Sequence, residues 1–455
     1  MSDEQDVADV QFIGEALVRF IEMSPHEVMQ HFSERREDIG ASVPGLKGGE
    51  LFVGREAYNR FNDIASRALR GMGDDRVSFS TPVIASALRS AFSEIFLAER
   101  AEIDAASVGA MINRAFDKAR GRHEAITHHL PCLITLEREP AAFDLGPIRF
   151  ETSEAFLQRI ATALERYRLS GSDLARTTQG VPIADVTDKR TKEYYTSFPW
   201  VGTVAIPKCE RGISKKRAER AIDAALDVLR LFFPDPFAVR LRRGGTDAMV
   251  TRLYEVTSNN AGEIEITNVF TSDDAPEWLS QILLRYHEFL DGVGIWLRDH
   301  VSGQTIGDLR QRWLDSLHWY GQSIADQSPA GRVIKLAAVF ERLTLAKERR
   351  GSVGATVANR VALLGQGYQA KDFRQIKKDV ELVYACRSQL IHGALSPFDA
   401  LVHEHSVIAT AVARWILFVA FSFYRSLEEE SRASNADLEG AFEAWIRNRK
   451  TPPAN

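Results

Sequence analysis

An arginine and a histidine stand five residues apart near the end of a predicted helix, in the stretch VELVYACRSQLIHGALSPFD. Histidine titrates near neutrality, so His392 could act as a general acid or base. Arginine carries a fixed charge and a fork of N–H donors that match phosphate oxygens, which suits Arg387 to stabilising charge at a phosphate. Together the two residue types could support acid–base chemistry at a phosphate group. Such chemistry requires no metal and no other cofactor, and we expect none.

The helix that carries these residues has apolar side chains at steps of three and four, which predicts one face packed against a core. Arg387 falls in that row, whose other members are Phe373, Ile376, Val380, Val383 and Leu390. A guanidinium cannot lose its charge, so its burial requires a carboxylate partner or a wet cleft. Glu341, on a preceding predicted helix, is a candidate partner. Arg387 is therefore either an internally paired structural residue or part of a site.

His392 lies where the helix is predicted to end. Gly393 suits the left-handed position past a helix end, and a serine, a proline and an aspartate within 396–399 are predicted to begin the next helix. A lone histidine at such an end is also explained by its favourable charge against the helix dipole. Five residues at about 100° each separate the Arg387 and His392 side chains by roughly 140° around a straight helix. The pair can meet in two ways: the helix end is distorted at Gly393, or two subunits place their motifs across a shared cleft.

The spacing in RSQLIHG matches the R-x4-6-H motif of the HEPN superfamily, helical domains that commonly act as RNases. The motif helix follows IKLAAVFERL and VANRVALLG and precedes a long apolar helix. With these features, the segment from about 305 to 430 resembles the Apea-like branch of the superfamily, which is linked with anti-phage defence. The upstream part of the chain carries no resemblance that indicates a function.

The resemblance implies that Arg387 and His392 are the catalytic pair of a metal-independent endoribonuclease. Ser388, next to the arginine, would support the reaction by orienting the pair or the phosphate. The implied substrate is RNA, with tRNA as a candidate, and the implied product is a 2′,3′-cyclic phosphate. The implied site is a composite cleft formed by the paired motifs of a homodimer or a higher homo-oligomer. The upstream domains would then sense an infection cue, such as a phage-derived trigger.

The motif has two other interpretations. In the branch that is paired with nucleotidyltransferases, a tyrosine two residues after the histidine accepts a nucleotide, and Ala394 at that position disfavours this variant. The alternative function is a catalytically silent dimerisation or binding module in a sensor or scaffold protein. The presence of both Arg387 and His392 favours the nuclease, because a silent module has no need to keep both.

Basic residues accumulate around the motif in a chain whose net charge is -5. Residues 330–430 contain 14 Lys and Arg against 10 Asp and Glu. Four cations lead into the motif and are predicted to follow an RNA backbone: Lys371, Arg374, Lys377 and Lys378. Two further basic stretches, RGISKKRAERA and VRLRRGG, could guide RNA as well. For each of these cations, a solvated protein surface is the alternative interpretation.

The chain as a whole is predicted to be an α+β multidomain protein that is mainly helical, because 455 residues exceed what one core can hold. Helical periodicity covers 1–128, β-branched runs mark an α+β domain at 129–275, and helices return at 276–455 with the HEPN-like bundle at about 305–430. The predicted strands are LPCLITLE, GPIRFE, WVGTVAIP, FAVRLRR, MVTRLYEVT and EIEITNVF.

Composition narrows the class of protein. The acidic net charge argues against a general nucleic-acid coat protein. Three distant cysteines predict no disulfide framework or zinc site and favour the reducing cytoplasm, and the acidic N-terminus lacks the features of a signal peptide. Residues 406–424 are nearly apolar, but Arg414 in their middle favours a buried helix over a membrane span. The histidines of RHEAITHH lack the spacing of a metal site. In LVHEHS, either His403 or His405 could line the cleft of the motif, but not both, because alternate residues on a helix face apart.

Overall fold

The computed structural model describes residues 4–135, 140–171, 176, 181–244, 254–258, 264–268, 278–303, 306–346, 352–367 and 372–450. Within these residues the protein is mainly helical with a small antiparallel sheet, as the sequence predicts. The chain divides into two compact units, of which the first comprises Met1–Thr127, Ala205–Ala218 and Ser302–Gln304. Most of the predicted α+β domain and of the predicted C-terminal helical region lies in the second unit, apart from Ala205–Ala218 and Ser302–Gln304.

The first unit is a helical bundle with one short hairpin. Its helices are α1 (Glu4–Glu22), α2 (Pro25–Glu34), α3 (Gly54–Arg70), α4 (Thr81–Phe92) and α5 (Ala105–Arg120). The hairpin strands, β1 (Ser42–Pro44) and β2 (Glu50–Phe52), flank the glycine-rich stretch of the sequence. The apolar faces of α1, α3, α4 and α5 form one core, in which Ile13, Phe61 and Ile84 are wholly buried. Two arginines of α3 bind buried aspartates of α1, with Arg60 on Asp9 and Arg67 on Asp6 and Asp9.

The sheet has five strands in the order β4-β5-β6-β3-β7, with antiparallel β4–β5, β5–β6 and β3–β7 pairs. These strands are β3 (Glu124–Leu133), β4 (Ala142–Leu145), β5 (Ile148–Thr152), β6 (Trp200–Cys209) and β7 (Arg242–Arg243). A separate antiparallel hairpin joins β8 (Tyr254–Ser258) to β9 (Ile264–Asn268). The interspersed helices are α6 (Ser153–Gly171), α7 (Ile183–Thr196), α8 (Arg211–Arg230) and α9 (Asp235–Ala238).

The sequence prediction was wrong in one strand. FAVRLRR was expected to be extended, but its first residues complete the short helix α9 and the strand β7 is confined to Arg242–Arg243. Pro236 explains the helical turn, because its ring fixes φ near the helical value and its missing N–H is not needed in a first turn. The other predicted strand segments each contain part of a strand.

The C-terminal part of the chain is a bundle of helices that carries the motif. Its helices are α10 (Trp278–Arg285), α11 (His287–Ser302), α12 (Asp308–Ala325), α13 (Pro329–Thr344), α14 (Val353–Gly367), α15 (Phe373–Ile391), α16 (Ala400–Glu429) and α17 (Asn435–Lys450). Helix α15 packs against α13, α14 and α16, and α13 packs against α12 and α16. The aromatic side chains of Trp296, Trp313 and Phe421 meet edge to face or tilted between α11, α12 and α16.

Helix α16 contains the apolar segment that raised the membrane question. Among the described residues it is the one helix that is long and apolar enough to span a bilayer, and 61% of its most apolar window is buried inside the protein. Arg414, in the middle of this helix, donates to the Tyr320 hydroxyl at 2.9 Å and pairs with Asp235. The packing accounts for the apolar composition of α16 as a core helix.

A buried ion pair ties α14 to α17 within the bundle. Arg360 is completely buried, and its guanidinium donates to the Glu439 carboxylate at 2.9 Å and to the Thr344 carbonyl oxygen at 2.6 Å. The Phe442 ring lies 4.8 Å from the same guanidinium. An arginine in this position is stable only while both its charge and its donors have partners.

We predict that Glu439→Ala lowers the free energy of unfolding by about 3–5 kcal/mol, because it leaves a buried guanidinium without its carboxylate. Chemical denaturation at neutral pH measures this loss. The matched control is Glu381→Ala, which removes a partly exposed ion pair with Lys377 (3.6 Å) and is expected to cost less than about 1 kcal/mol. Equal losses in the two variants would contradict a structural role for the buried pair.

Candidate functional site

Helix α15 presents a buried row that differs from the predicted one at its C-terminal end. Ile376, Val380 and Val383 are buried as expected, but Cys386, which is 1% exposed, continues the row in place of Arg387. With about 3.6 residues per turn, either residue after Val383 could have pointed inward. Cys386 is the fully buried residue at this end, and Arg387, which helical geometry places on the same face, is half-buried like Phe373 and Leu390. Arg387 thus lies on the predicted face of the helix, but it is half-buried rather than sealed in the core.

Arg387 also lacks the predicted partner. Among the described residues it forms no ion pair or hydrogen bond, with Glu341 or with any other carboxylate. Glu341 instead lies beside Tyr384, whose hydroxyl donates to the Ala337 carbonyl oxygen at 3.5 Å. Burial raises the pKa of Tyr384, the Glu341 carboxylate raises it further, and the nearby charge of Arg387 opposes this shift. The guanidinium therefore keeps free donors next to a neutral phenol.

His392 is the capping residue at the C-terminal end of α15, and its side chain is exposed. Gly393 follows with φ of 72°, the left-handed conformation predicted for it. Its N–H donates to the Leu390 carbonyl oxygen, and the N–H of Ala394 donates to that of Gln389 at 2.8 Å. These two bonds form a Schellman motif, which satisfies the last carbonyls of the helix. These backbone hydrogen bonds fix the end of α15, so His392 extends from a defined position.

The helix end is not distorted in a way that unites the pair. Helix α15 is continuous through Ile391, and His392 itself keeps near-helical torsions of φ -86° and ψ 1°. At about 100° per residue, the His392 and Arg387 side chains therefore leave opposite sides of the helix, roughly 140° apart. Within one chain the two side chains therefore do not face each other.

The exposed face of α15 carries most of the other predicted site residues. Arg374 and Lys378 are exposed, and Ser388 is exposed near the motif end of the helix. Helical geometry places all three within about 40° of His392, on the side away from the buried row. Lys377 is half-buried and pairs with Glu381 at 3.6 Å, so its charge is partly neutralised. Lys371 lies outside the described residues.

The turn after the motif presents an aromatic ring that the sequence analysis did not single out. Phe398 is 95% exposed, and two neighbouring apolar side chains, Ile391 and Leu401, are about half exposed. The cap of α16 is Asp399, which accepts from the N–H of Leu401 at 2.9 Å, so the predicted start of that helix at Ser396 was wrong. The sequence signal for this start is Asp399, a favourable capping residue that a helical pattern follows without a break. This start leaves Phe398 outside the helix.

The two histidines of α16 do not form a cluster with each other. His403 is exposed, whereas His405 is half-buried and its Nδ1 has no hydrogen-bond partner among the described residues. Residues two apart on a helix face different ways, as the sequence analysis expects. In the described part of the chain, no group of three His, Cys, Asp or Glu residues is arranged to hold a metal ion.

His318, on helix α12, lies close to a buried carboxylate of helix α8. His318 on α12 has its Nδ1 3.8 Å from the carboxylate of Asp227, which is fully buried and also paired with Arg230. The two helices approach closely because residue 321 is glycine, where a Cβ atom would overlap the same carboxylate. Arg230 also donates to the Ala238 carbonyl oxygen at 3.3 Å. This network joins α8, α9 and α12, and its chemistry is that of a structural ion pair.

The Asp227 network gives a pH prediction. The Asp227 carboxylate raises the pKa of His318, with smaller contributions from Asp223 and Asp315, although burial acts in the opposite direction. The protonated imidazole therefore stabilises the folded state fully below the unfolded pKa of about 6.5, and this contribution is lost as the pH rises through the higher folded pKa. We expect His318→Gln to destabilise the protein more at about pH 5.5 than at about pH 8.5.

Denaturation midpoints at the two pH values measure this difference. The matched control is His403→Gln, an exposed histidine without a described partner, which is expected to have the same small effect at both pH values. A loss in the His318 variant that is larger at the higher pH would contradict the assigned direction.

Comparison with protein-family models, with curated proteins and with solved structures gives no match to this chain. The resemblance noted in the sequence therefore depends on the motif and on the order of the helices around it.

Proposed function

We propose that this protein is a metal-independent endoribonuclease that uses Arg387 and His392 from its C-terminal helical bundle. The observation that carries the proposal is the unpaired guanidinium of Arg387, a half-buried residue, on the same helix end as the exposed His392. A structural arginine in such a position would be expected to bind a carboxylate, because partial burial of an unpaired charge is unfavourable. A phosphate group of RNA would supply the missing partner.

The proposed reaction is a transphosphorylation within the RNA backbone. His392 removes the proton of a ribose 2′-hydroxyl, and the 2′-oxygen attacks the adjacent phosphorus. Arg387 donates to the non-bridging oxygens as negative charge develops on them. The P–O5′ bond then breaks, and the leaving 5′-oxygen takes up a proton from a second imidazole or from water. The products are a 2′,3′-cyclic phosphate and a 5′-hydroxyl, with no metal and no net change in oxidation state.

The proposed active form is a dimer, because a single helix directs the two side chains about 140° apart. A two-fold axis near the end of α15 would bring Arg387 of one copy opposite His392 of the other. Phe398, Ile391 and Leu401 supply exposed apolar surface at this end of the helix, of the kind that protein interfaces bury. The RNA strand would then follow Arg374 and Lys378 toward the cleft, with Ser388 donating to a phosphate oxygen.

The resemblance extends the proposal to biological context. A nuclease with a large upstream region fits an anti-phage system of the cytoplasm in which the first unit and the sheet sense a phage-derived trigger and restrain cleavage. The alternative function is a catalytically silent dimerisation module. The observation that favours this alternative is the apolar end of α15 itself, since dimerisation needs only that surface and neither ionisable side chain.

We predict that the purified protein cleaves total RNA or tRNA in the presence of EDTA, and that Arg387→Ala and His392→Ala each lower the rate by at least about 100-fold, the usual contribution of a general acid–base or a charge-stabilising group. Analysis of the RNA ends should give 2′,3′-cyclic phosphates. The matched control is His403→Ala, which removes an exposed histidine from the next helix and is expected to leave the rate unchanged. Equal cutting by all variants would place the activity elsewhere or in a contaminant.

The composite site makes a separate prediction. When Arg387→Ala and His392→Ala chains are mixed and allowed to exchange subunits, about a quarter of the wild-type activity should return, because random pairing makes half the dimers mixed and each mixed dimer holds one intact pair of two. Activity that stays at the level of the separate variants would show that Arg387 and His392 act within one chain.

A further inference from the structure

The first unit presents a group of cations that the proposed catalytic site does not use. Four exposed side chains lie at the end of β6 and in the first two turns of α8. We call them the basic patch: Lys208, Arg211, Lys215 and Lys216. Among the described residues none of the four has an ion-pair partner. The neighbouring Arg217 is different, because it donates to the Val77 carbonyl oxygen at 2.9 Å.

This arrangement is locally unfavourable for the helix. The N-terminal end of a helix carries a partial positive charge, so cations in its first turns are repelled. Arg211 and Lys215 are four residues apart on α8, which adds a like-charge pair on one face of the helix. Each effect costs a few tenths of a kcal/mol up to about 1 kcal/mol. An external anion would relieve both.

The carboxylates nearest in sequence are occupied by other partners. Glu210 accepts from the N–H of Ser80 at 2.7 Å, which fixes the start of α8 to the helical bundle of the first unit. Glu219 and Asp223, one and two turns further along α8, both bind Arg243. The cations of the basic patch are therefore held on a rigid support and are left available to a ligand.

We infer that the basic patch is a docking site for the phosphate backbone of RNA, at a distance along the chain from the proposed cleavage site; the choice of RNA rests on the proposed function. The exposed residues of the patch itself are cations and supply no aromatic anchor; the apolar residues of α8, such as Ile222, are buried, and beside the patch the small side chain of Val77 is 46% exposed. A protein partner would require such anchors, and a membrane surface would require an apolar face on the helix. A backbone of phosphates requires only positive charge.

The test uses the full chain with His392→Ala, so that the RNA probe stays intact, and measures fluorescence anisotropy with a labelled single-stranded RNA over a salt series. The double change Lys215→Gln/Lys216→Gln is expected to weaken binding about tenfold at 0.1 M salt and to make the slope of log K against log salt shallower by about 1.4, because each phosphate contact on a single strand contributes about 0.7. A DNA probe of the same sequence should be affected equally, since phosphate contacts do not read the 2′-hydroxyl.

The matched control is Arg36→Gln/Arg190→Gln, which removes two exposed arginines outside the patch and changes the net charge by the same amount. It is expected to leave the affinity within about twofold, since charges outside the contact act only through a screened field. Thermal unfolding should show that Lys215→Gln/Lys216→Gln is at least as stable as the parent, because the repulsion at the helix start is removed. Weaker binding with undiminished stability supports a docking site rather than a loss of fold.

Three results would overturn the inference: unchanged affinity and slope in the patch variant, an equal loss in the control variant, or tighter binding of the patch to phosphatidylserine vesicles than to RNA. RNA cleavage tests the proposed function separately from RNA binding by the patch. If the patch variant binds RNA normally while wild type cuts and His392→Ala does not, the docking site fails and the nuclease stands. If the patch variant loses affinity while wild type never cuts, the docking site stands and the nuclease fails.

Discussion

A continuous α-helix turns by about 100° per residue, and this geometry governs the relation between Arg387 and His392. Five residues place the two side chains on opposite sides of α15, and the Schellman motif at Gly393 ends the helix without bending it back. The chemistry that the pair could perform therefore requires a second surface that faces one of them. Phe398, beside the motif, is 95% exposed. The dimeric active form that we propose follows from the angle between the side chains of Arg387 and His392.

The bundle around α15 holds the motif end in a fixed position. Cys386 and the apolar row before it pack one side of the helix, and Tyr384 fixes the flank toward α13 through the Ala337 carbonyl oxygen. Further away, the buried Arg360–Glu439 pair joins α14 to α17 and so stabilises the helix against which α15 packs. A side chain at the end of a well-packed helix is positioned more sharply than one on a loop, which is what acid–base chemistry demands.

The arginines compared here fall into two groups: those that bind a carboxylate of the protein, and those without such a partner among the described residues. Arg67 binds Asp6 and Asp9, Arg230 binds Asp227, and Arg360 binds Glu439, so each of these charges is neutralised where it is buried. Arg387 is half-buried without such a partner among the described residues, and Arg211 is exposed at a helix start that disfavours cations. The contrast assigns a stabilising role to the first group and leaves the second group free to bind an anionic ligand.

The sequence by itself determined the mainly helical class and the left-handed glycine at the end of the motif helix, because periodicity and Gly393 are local signals. It could not decide whether residue 386 or 387 enters the core, since a helical repeat of 3.6 allows both, and tertiary packing chose Cys386. It proposed Glu341 as the partner of Arg387, whereas the packing of α13 against α15 brings Tyr384 to that carboxylate instead. The contact between Asp227 and His318 joins residues far apart in the chain and depends on Gly321, so only the tertiary structure revealed it.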